Sequence, residues 1–520
     1  MPVASTYAGL SDDPADTRLV ARVHPQGWTN PTPAGRYNLV VIGGGTAGLV
    51  SAMGAAGLGG KVALIERLLL GGDCLNFGCV PSKSFIAAAH AASAGGRDVG
   101  ADTFSEAMRR VRAVRADIAV NDSAERLRSA GVDVFFGQAR FAGPDTVVVG
   151  DQRLQFSRAV IASGARAALP PIPGLDTVRA LTNETVFSLT ERPARIAVIG
   201  GGPIGCELAQ AFAGLGSAVR LFDLAPRLLG KDDADAAAIL ASALTRSGVE
   251  LTLAASLTRF ERAADGAPAG TSDGGGTLVF DRGQGSERHA FDAVLVAAGR
   301  RSNVEGLDLE AAGVAFDKRG VSVNARLRTS NRRIYAAGDC CQVTNGASSG
   351  EAADPPKFQF THVADAMARI VIQNALFFGR KSSLDLVIPW ATYTSPEVAH
   401  VGLGQDEIAA RRDALTTVTV PLSDNDRAVC EGDTEGFGRF HVDRKGRILA
   451  ATIVGAHAGE LIGEVTLAMT NGITMGQIAG TIHPYPTRSE VIKRAADQLN
   501  RGRLTPFVAG VLRRILKWRR

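Results

Sequence analysis

Two cysteines, Cys74 and Cys79, offer the clearest redox chemistry in this chain. Four residues separate them, a spacing that can close a small disulfide ring at the first turn of a helix. Such a helix N-terminus stabilises a thiolate, and a tight, accessible disulfide is reduced more readily than a buried one. Two buried apolar cysteines and a metal-binding pair are the alternatives. A zinc site needs further Cys or His ligands, and none follows at the expected spacing, so no metal site is predicted.

A glycine-rich loop in the segment just before the cysteines predicts a dinucleotide-binding unit. It follows the strand pattern at Tyr37–Ile42 and precedes a helix of small residues. Its glycines at the first, third and sixth positions are Gly43, Gly45 and Gly48. The next strand pattern ends at Glu66, whose carboxylate would bind a ribose hydroxyl pair. Glycines let the backbone approach a pyrophosphate, and the helix N-terminus attracts it.

A second loop of the same kind predicts a second dinucleotide. It follows the strand pattern at Ile196–Ile199, and its glycines are Gly200, Gly202 and Gly205. The following strand pattern ends at Asp223, where a carboxylate accepts from both ribose hydroxyls and repels a 2′-phosphate. The sequence therefore favours NADH over NADPH, although Arg220 and Arg227 leave a phosphate as the alternative.

The segment from Gly71 to Lys83 resembles the redox-active disulfide of the pyridine nucleotide-disulfide oxidoreductases, which include dihydrolipoamide dehydrogenase, glutathione reductase and mercuric reductase. The resemblance implies that Cys79 forms the charge-transfer thiolate against the flavin and that Cys74 exchanges with the substrate. It also implies that Lys83 lies near the flavin N5 and pairs with Glu207. Asp73 departs from the pattern, because most members have threonine there.

Further segments resemble the same family and assign its cofactors. The turn ending at Gly164 and the strand ending at Gly299 resemble the points where the chain leaves and re-enters the flavin domain. The segment ending at Asp339 resembles the second flavin signature, which implies that Asp339 hydrogen-bonds the ribitol. The resemblance implies FAD at the first glycine loop and NAD(P)H at the second.

The C-terminal part resembles the family's dimerisation domain, with one departure. The family has a catalytic histidine, contributed by the partner subunit and oriented by a glutamate. Aligned on Pro486, Thr487 and Glu490, that position holds Tyr485. Tyrosine, with a pKa near 10, is a poor base near neutrality, and His483 is the alternative proton carrier. Mercuric reductases also have tyrosine here, but they carry a C-terminal cysteine pair, and the last cysteine of this chain is Cys430.

Composition and charge are those of an ordinary globular protein, with 45% hydrophobic and 21% charged residues. The net charge is +5, of which +7 lies in the last twenty residues, so the basicity is local and does not predict nucleic-acid binding. No signal peptide or transmembrane segment is predicted, which indicates the cytoplasm. Residues 501–520 alternate apolar and basic residues at helical spacing. They predict either an interfacial helix on an anionic membrane or a tail packed on the body.

These observations predict an α/β protein with two Rossmann-like dinucleotide-binding domains, for FAD and NAD(P), and a C-terminal α+β dimerisation domain. The predicted segments are an N-terminal extension (1–36), the first part of the FAD domain (37–165), the NAD(P) domain (166–298), the return part of the FAD domain (299–384), the dimerisation domain (385–500) and a basic amphipathic tail (501–520). Residues 342–357 are interpreted as an insertion near the flavin.

The predicted function is that of a homodimeric flavoprotein whose active site is shared between subunits. Electrons pass from NAD(P)H through FAD to the Cys74–Cys79 disulfide, and then to a disulfide or another small acceptor. One alternative is a metal-ion reductase of the mercuric type, which the position of Tyr485 favours and the missing C-terminal cysteines oppose. The other is a redox sensor or membrane-associated scaffold that uses the basic tail.

Overall fold

The computed structural model describes residues 6, 7, 9–94, 101–263, 275–283, 285–344, 356–502, 504 and 506–520. Residues 345–355 of the predicted insertion lie outside this part. The chain divides into two compact units. The first comprises Met1–Gly200, Ala211–Phe222 and Ala255–Leu386, and the second comprises Gly201–Gln210, Asp223–Ala254 and Val387–Arg520. The predicted limits of the six sequence segments stay a prediction.

The first unit contains a seven-stranded sheet in the order β3-β2-β1-β6-β5-β4, with β19 also paired to β6. Strands β3, β2, β1, β6 and β19 run parallel, and their apolar runs are buried on both faces, as parallel strands require. The strands are β1 (Arg36–Ile42), β2 (Val62–Glu66), β3 (Val132–Phe136), β4 (Ala139–Phe141), β5 (Thr146–Val149), β6 (Gln152–Ile161) and β19 (Ile334–Ala336).

Helices connect and cover these strands. They are α1 (Pro14–Val23), α2 (Thr46–Gly57), α3 (Gly72–Asn76), α4 (Cys79–Ala94), α5 (Ala101–Ile118), α6 (Ala124–Ser129) and α9 (Thr361–Leu376). Helix α1 belongs to the predicted N-terminal extension, and its buried Asp16 pairs with the buried Arg115 of α5. The N-terminal extension is therefore an ordered part of the first unit from α1 onward.

A second parallel sheet in the first unit has the strand order β10-β9-β15-β8. An apolar cluster that includes Phe222, Phe260 and Phe291 packs beside it. The strands of this sheet are β8 (Ala180–Leu181), β9 (Arg195–Ile199), β10 (Ala218–Phe222) and β15 (Ala293–Val296). Smaller sheets are formed by β12 (Ser256–Arg262), β13 (Gly276–Asp281) and β14 (Ser286–Phe291); by β7 (Ala165–Ala167) and β16 (Arg300–Ser302); and by β17 (Phe316–Asp317), β18 (Gly320–Val323) and β20 (Cys341–Val343).

The second unit is built on an antiparallel sheet in the order β21-β22-β25-β24-β23. Helices α12, α13 and α14 pack on it around a core that includes Phe440, Ile453 and Val491. The strands are β11 (Val249–Thr252), β21 (Pro389–Thr392), β22 (Glu397–Gly402), β23 (Thr416–Pro421), β24 (Phe437–Val442) and β25 (Ile448–Gly455). The helices are α8 (Ala234–Arg246), α10 (Gln405–Ala410), α11 (Asp426–Glu431), α12 (Ala458–Thr470), α13 (Met475–Ala479), α14 (Glu490–Gly502) and α15 (Pro506–Trp518), and α7 (Pro203–Gly214) begins in this unit.

This arrangement confirms the predicted α/β class, with a separate α+β region at the C-terminus. Parallel strands that alternate with helices form the dinucleotide-type sheets, and the glycine loops follow their first strands. No helix in the described ranges is long and apolar enough to cross a bilayer.

Candidate active site

The predicted redox cysteines lie at the turn between the short helix α3 and the helix that follows it, α4. Gly72 adopts φ +56°, and a Cβ atom there would lie 2.6 Å from the Cα atom of Gly45. Glycine is therefore needed for this turn to pack on the first glycine loop. Cys74 lies in α3, and Cys79 is the first residue of α4, where the spacing had predicted a helix N-terminus. Both are free thiols hydrogen-bonded to each other, which is the reduced form of the predicted pair.

The negative charge of the reduced pair rests on Cys79. The hydrogen bond from the Cys74 thiol, followed by the Thr361 hydroxyl and the Lys83 charge, lowers the pKa of Cys79 to about 6 against the opposing effect of burial. The same Cys–Cys hydrogen bond, together with burial, raises the pKa of Cys74 well above its usual range. Cys74 therefore keeps its proton until a base removes it, while Cys79 carries a thiolate near neutrality.

Thr361 is a site residue that sequence reasoning missed. It is the first residue of α9, and its Oγ1 atom lies 3.2 Å from Cys79 Sγ, although 282 positions separate them. The ring of the neighbouring His362 stacks on Phe360 with centroids 5.3 Å apart. No local pattern identifies Thr361, because its contact exists only once the fold brings α9 to the cysteines.

Asp73, the predicted departure beside Cys74, is bound by residues from distant segments. Asn183 Nδ2 donates to Asp73 Oδ1 at 2.8 Å, and Arg300 Nη2 lies 3.2 Å from Asp73 Oδ2. Arg300 Nε lies 3.5 Å from Asp339 Oδ2, so one guanidinium lies between two carboxylates. After the Cys–Cys hydrogen bond and burial, the Asp73 charge is a smaller cause that raises the pKa of both cysteines. Arg300 partly offsets that charge.

The first glycine loop has no room for side chains at two of its glycines. A Cβ atom on Gly43 would lie 2.3 Å from the Ala162 carbonyl oxygen, and one on Gly48 would lie 1.8 Å from the Gly43 carbonyl oxygen. Gly45 is the N-cap of α2, so its helix N-terminus opens at this loop. Glu66 is buried at the end of β2, where its carboxylate accepts from Gly44 N at 2.6 Å and from Leu68 N at 2.7 Å. Burial raises the pKa of Glu66 against these hydrogen bonds.

These residues fit FAD. A cleft beside the loop is lined by Gly43, Glu66, Arg67, Gln138, Ser163, Asn303 and others. The glycine loop and the α2 N-terminus would hold the pyrophosphate, and Glu66 would hold the adenosine ribose. Asp339 follows β19, and burial raises its pKa while the Arg300 charge opposes the shift. Gly164 and Gly299 adopt φ +70° and +131°, which only glycine tolerates readily.

The second glycine loop repeats the carboxylate arrangement of the first. Asp223 accepts hydrogen bonds from Gly201 N and from Ala225 N, the latter at 2.7 Å, just as Glu66 accepts from Gly44 and Leu68. Gly200 needs its glycine because a Cβ atom would lie 2.6 Å from the Ala297 carbonyl oxygen. Gly202 and Gly205 flank the start of α7. This loop fits a second dinucleotide by the same steric and hydrogen-bonding criteria.

The two arginines that could hold a 2′-phosphate are both engaged elsewhere. Arg227 donates to the carbonyl oxygens of Asp232 and Gly230 at 2.9 and 2.7 Å. The Arg220 guanidinium lies over the rings of Phe222 and Phe280, 5.3 and 5.0 Å from their centroids.

Lys83 and Glu207 are placed in different units. Lys83 is half-buried in α4, one turn after Cys79. Glu207 is buried in α7, where its carboxylate accepts from Tyr393 N at 2.9 Å. Their pairing stays a prediction.

The predicted proton carriers lie in the second unit and have different partners. Tyr485 is 70% exposed, and its hydroxyl donates to Asp426 Oδ2 at 3.0 Å. That hydrogen bond raises the pKa of Tyr485. His483 Nε2 lies 2.9 Å from Glu464 Oε1, and its Nδ1 lies 3.1 Å from the Thr481 carbonyl oxygen. Tyr485 is therefore open to solvent, whereas both ring nitrogens of His483 are hydrogen-bonded.

Glu490, predicted to orient a catalytic histidine, begins α14. Its Oε2 atom is buried and has no hydrogen-bond partner among the described residues. Among all the residues that the structure describes, no cluster of three or more His, Cys, Asp or Glu residues could hold a metal ion.

Comparisons with known proteins match most of the chain. The family model described as "Pyridine nucleotide-disulphide oxidoreductase" matches residues 37–368, and the model of its dimerisation domain matches residues 388–496. The chain is 33% identical to a mercuric reductase of Staphylococcus aureus over 474 residues, which cover 89% of this chain and 82% of that protein. It is 34% identical to a dihydrolipoyl dehydrogenase of Thermus scotoductus over 483 residues, covering 89% and 98% of the two chains.

A solved structure is similar over the same length. The HOCl-induced flavoprotein disulfide reductase RclA from Escherichia coli superposes with a TM-score of 0.76 at 29% identity, covering 89% of this chain and 99% of that chain. A Cu(II) complex of the same Escherichia coli protein gives a TM-score of 0.75 at 28% identity. The match to the dimerisation domain supports a homodimer. The resemblance and the domain types expected from the sequence are confirmed.

Proposed function

The chain belongs to the pyridine nucleotide-disulphide oxidoreductase family and is an FAD-dependent NAD(P)H oxidoreductase, and from this we propose that it uses NADH to reduce a small disulfide through Cys74 and Cys79. The observation that carries the proposal is the hydrogen-bonded thiol pair, in which the Cys79 pKa is lowered and the Cys74 pKa is raised. Because the pKa values of the two thiols differ so widely, one sulfur can hold the negative charge while the other attacks the substrate.

FAD, when bound, supplies the two-electron carrier between NADH and the disulfide. Two electrons and one proton convert the Cys74–Cys79 disulfide into the Cys74 thiol and the Cys79 thiolate. Thr361 and Lys83 stabilise that thiolate through a hydrogen bond and a positive charge. Cys79 thus holds the charge at the N-terminus of α4, where the helix dipole also favours it.

Cys74 is the exchanging sulfur in this proposal. Once deprotonated, it attacks one sulfur of the acceptor disulfide, whose S–S bond breaks and releases the first thiolate. The Cys79 thiolate then attacks the Cys74 sulfur, releases the second thiolate and restores the Cys74–Cys79 disulfide. NADH, one proton and the disulfide are consumed, and NAD⁺ and two thiols are formed. Tyr485 and His483 are the candidates for carrying the Cys74 proton, with Glu490 beside them in sequence.

NADH is the proposed donor because of Asp223. Its carboxylate is fixed by two backbone N–H groups at the end of β10, a position from which it would repel a 2′-phosphate. The engagement of Arg220 and Arg227 supports the same choice. We expect a higher kcat/KM for NADH than for NADPH. Asp223→Asn keeps an acceptor for Gly201 N and should lower the ratio of kcat/KM for NADH to kcat/KM for NADPH. An unchanged ratio would contradict this role of the Asp223 charge.

A metal ion is the second candidate acceptor, and Tyr485 is the observation that favours it. A tyrosine whose pKa is raised by Asp426 is a poor base for thiol exchange. A thiophilic divalent ion binds thiolates directly and, on taking two electrons from NADH, is reduced to the metal. Relatives named mercuric reductases agree with this alternative.

The deciding experiment is an anaerobic titration of the holoenzyme with NADH and NADPH, followed by absorbance. We expect a long-wavelength thiolate–flavin band at two electrons in the wild type and in Cys430→Ser, which removes an exposed cysteine outside the pair. The band should be lost in Cys79→Ser. Full flavin bleaching at two electrons without the band would place the cysteines outside the electron path and overturn the proposal.

Steady-state turnover then separates the two acceptors. NADH oxidation with dithiobis(nitrobenzoate) or lipoamide, abolished by Cys74→Ser, would support the disulfide. NADH oxidation that requires mercuric or cupric ion in the presence of excess thiol would instead support the metal ion.

A further inference from the structure

Helix α15 forms without burying either face. Its 13 residues, Pro506–Trp518, begin with proline at the first helical position, where proline is favoured. None of its side chains is buried, and the exposed fraction of the large apolar ones runs from 39% for Val508 to 86% for Trp518. A short isolated helix in water is marginal, so such a segment gains most of its stability from a surface on which its apolar face packs.

The apolar residues of α15 occupy one face. Phe507, Val511, Ile515 and Trp518 follow at i, i+4, i+8 and i+11, and Val508, Leu512 and Leu516 form the adjacent row. Arg513 and Lys517 lie on the opposite side, and Arg514 borders the apolar face beside Phe507. The helix is about 20 Å long, too short to cross a bilayer. It has instead the form of a helix that lies in the plane of a surface.

The charge of the last twenty residues indicates which kind of surface α15 binds. The last twenty residues carry seven Lys or Arg and no acid, whereas the rest of the chain has a formal charge of −2. A second copy of this helix would repel the first, because both carry the same concentrated positive charge. An anionic lipid surface matches both faces: its acyl region accepts the apolar face, and its headgroups attract the cations. Phe507 and Trp518 at the two ends have the aromatic character found at membrane interfaces.

We propose that α15 is a membrane-surface anchor that binds anionic phospholipid and holds the oxidoreductase at the bilayer. The apolar face, with Leu512 at its centre, inserts at the headgroup boundary, and Arg513, Arg514 and Lys517 contact the lipid phosphates. This binding is independent of the identity of the electron acceptor.

The test uses the full-length holoenzyme and vesicles of phosphatidylcholine with or without about one third phosphatidylglycerol, assayed by flotation. We expect wild-type protein to float with the anionic vesicles and to remain in solution with pure phosphatidylcholine. Added salt should weaken the binding. The emission of Trp518 should shift to shorter wavelength on binding, and Trp518→Phe should remove that shift.

Two variants with equal charge change separate insertion from simple attraction. Arg513→Gln removes one positive charge and should weaken binding about fivefold. Leu512→Asp also lowers the charge by one but removes an inserted side chain, and should weaken binding at least about tenfold more than Arg513→Gln. NADH-dependent dye reduction should be the same in both variants, which shows that the body is folded.

Three outcomes would overturn the proposal. The first is wild-type protein that does not float with anionic vesicles. The second is an equal loss in both variants, which would mean that only net charge matters. The third is a larger oligomer in solution that Leu512→Asp dissociates without vesicle binding, which would assign the face to a second copy of the chain.

Discussion

Replacing Thr361 with valine tests how the structure holds the Cys79 thiolate. Valine has nearly the shape of threonine and keeps the branched Cβ, so the first turn of α9 should persist. It removes the hydroxyl whose oxygen lies 3.2 Å from Cys79 Sγ. The Cys74 hydrogen bond and the Lys83 charge, which also lower the Cys79 pKa, stay in place.

The size of the effect follows from the hydrogen bond that is lost. A hydrogen bond to a charged group contributes about 1.5–3 kcal/mol, which corresponds to about 1–2 pKa units. Thr361 is only one of several groups that lower the Cys79 pKa, so we take the lower end, about one unit. The Cys79 pKa should therefore rise from about 6 to about 7. Near pH 7 the thiolate fraction would fall from about nine tenths to about one half.

The assay is a pH titration of the two-electron-reduced holoenzyme under anaerobic conditions. The long-wavelength absorbance reports the thiolate next to the flavin, and it should disappear as the pH falls through the Cys79 pKa. Rates of iodoacetamide alkylation, read by peptide mass spectrometry, give the same pKa without relying on the flavin. Thr361→Ser is the matched control, since it keeps a hydroxyl at this position.

Titration of Thr361→Val and wild type at the same pH in both assays would refute this role of the Thr361 hydroxyl. A shift in Thr361→Ser as large as that in Thr361→Val would also refute it, because the change would then come from the backbone or packing of α9 and not from the hydroxyl.

Three other substitutions test charges and protons elsewhere in the chain. Asp73→Asn removes a charge that raises the pKa of both thiols, so Cys74 alkylation at a fixed neutral pH should accelerate about threefold; an unchanged or slower rate would contradict this. Tyr485→His supplies an imidazole that titrates near neutrality, so NADH-dependent disulfide reduction should rise about tenfold or more, with Tyr485→Phe as the control that should not raise it. Burial lowers the pKa of His400 to about 4 in the folded protein, whereas its pKa in the unfolded chain is about 6.5. Between these two pH values the unfolded chain therefore binds one more proton than the folded protein. The free energy of unfolding should therefore fall by about 1.4 kcal/mol for each unit of decreasing pH in that window, and urea denaturation of His400→Gln should lose this contribution.

Much of the site could be predicted from short stretches of sequence. Glycine at fixed positions after an apolar strand has few other uses, and the structure shows the steric reason at Gly43, Gly48 and Gly200. Glu66 ends its strand and Asp223 directly follows its strand, so the place of each carboxylate beside a glycine loop follows from the parallel order of neighbouring strands. These are local patterns, in which the residues that act together lie within one strand–helix–strand unit.

Contacts between distant segments could not be predicted in this way. Thr361 reaches Cys79 across 282 positions, and Asp73 meets Asn183 and Arg300 across 110 and 227 positions. The N-terminal extension is also held by a distant contact. The charge pair of Asp16 with Arg115 and the apolar side of α1 bury this helix in the first unit.

The sequence by itself determined the cofactor loops, the cysteine pair and the amphipathic pattern of the tail, because each depends on residue type and on the periods of helix and strand. The resemblance already implied that Cys79 carries the charge. Only the tertiary structure gave the physical reason, since a thiol pKa depends on the donors and cations packed around it. Only the tertiary structure, likewise, left the apolar face of α15 exposed, because burial is a property of the packed chain and not of the helix alone.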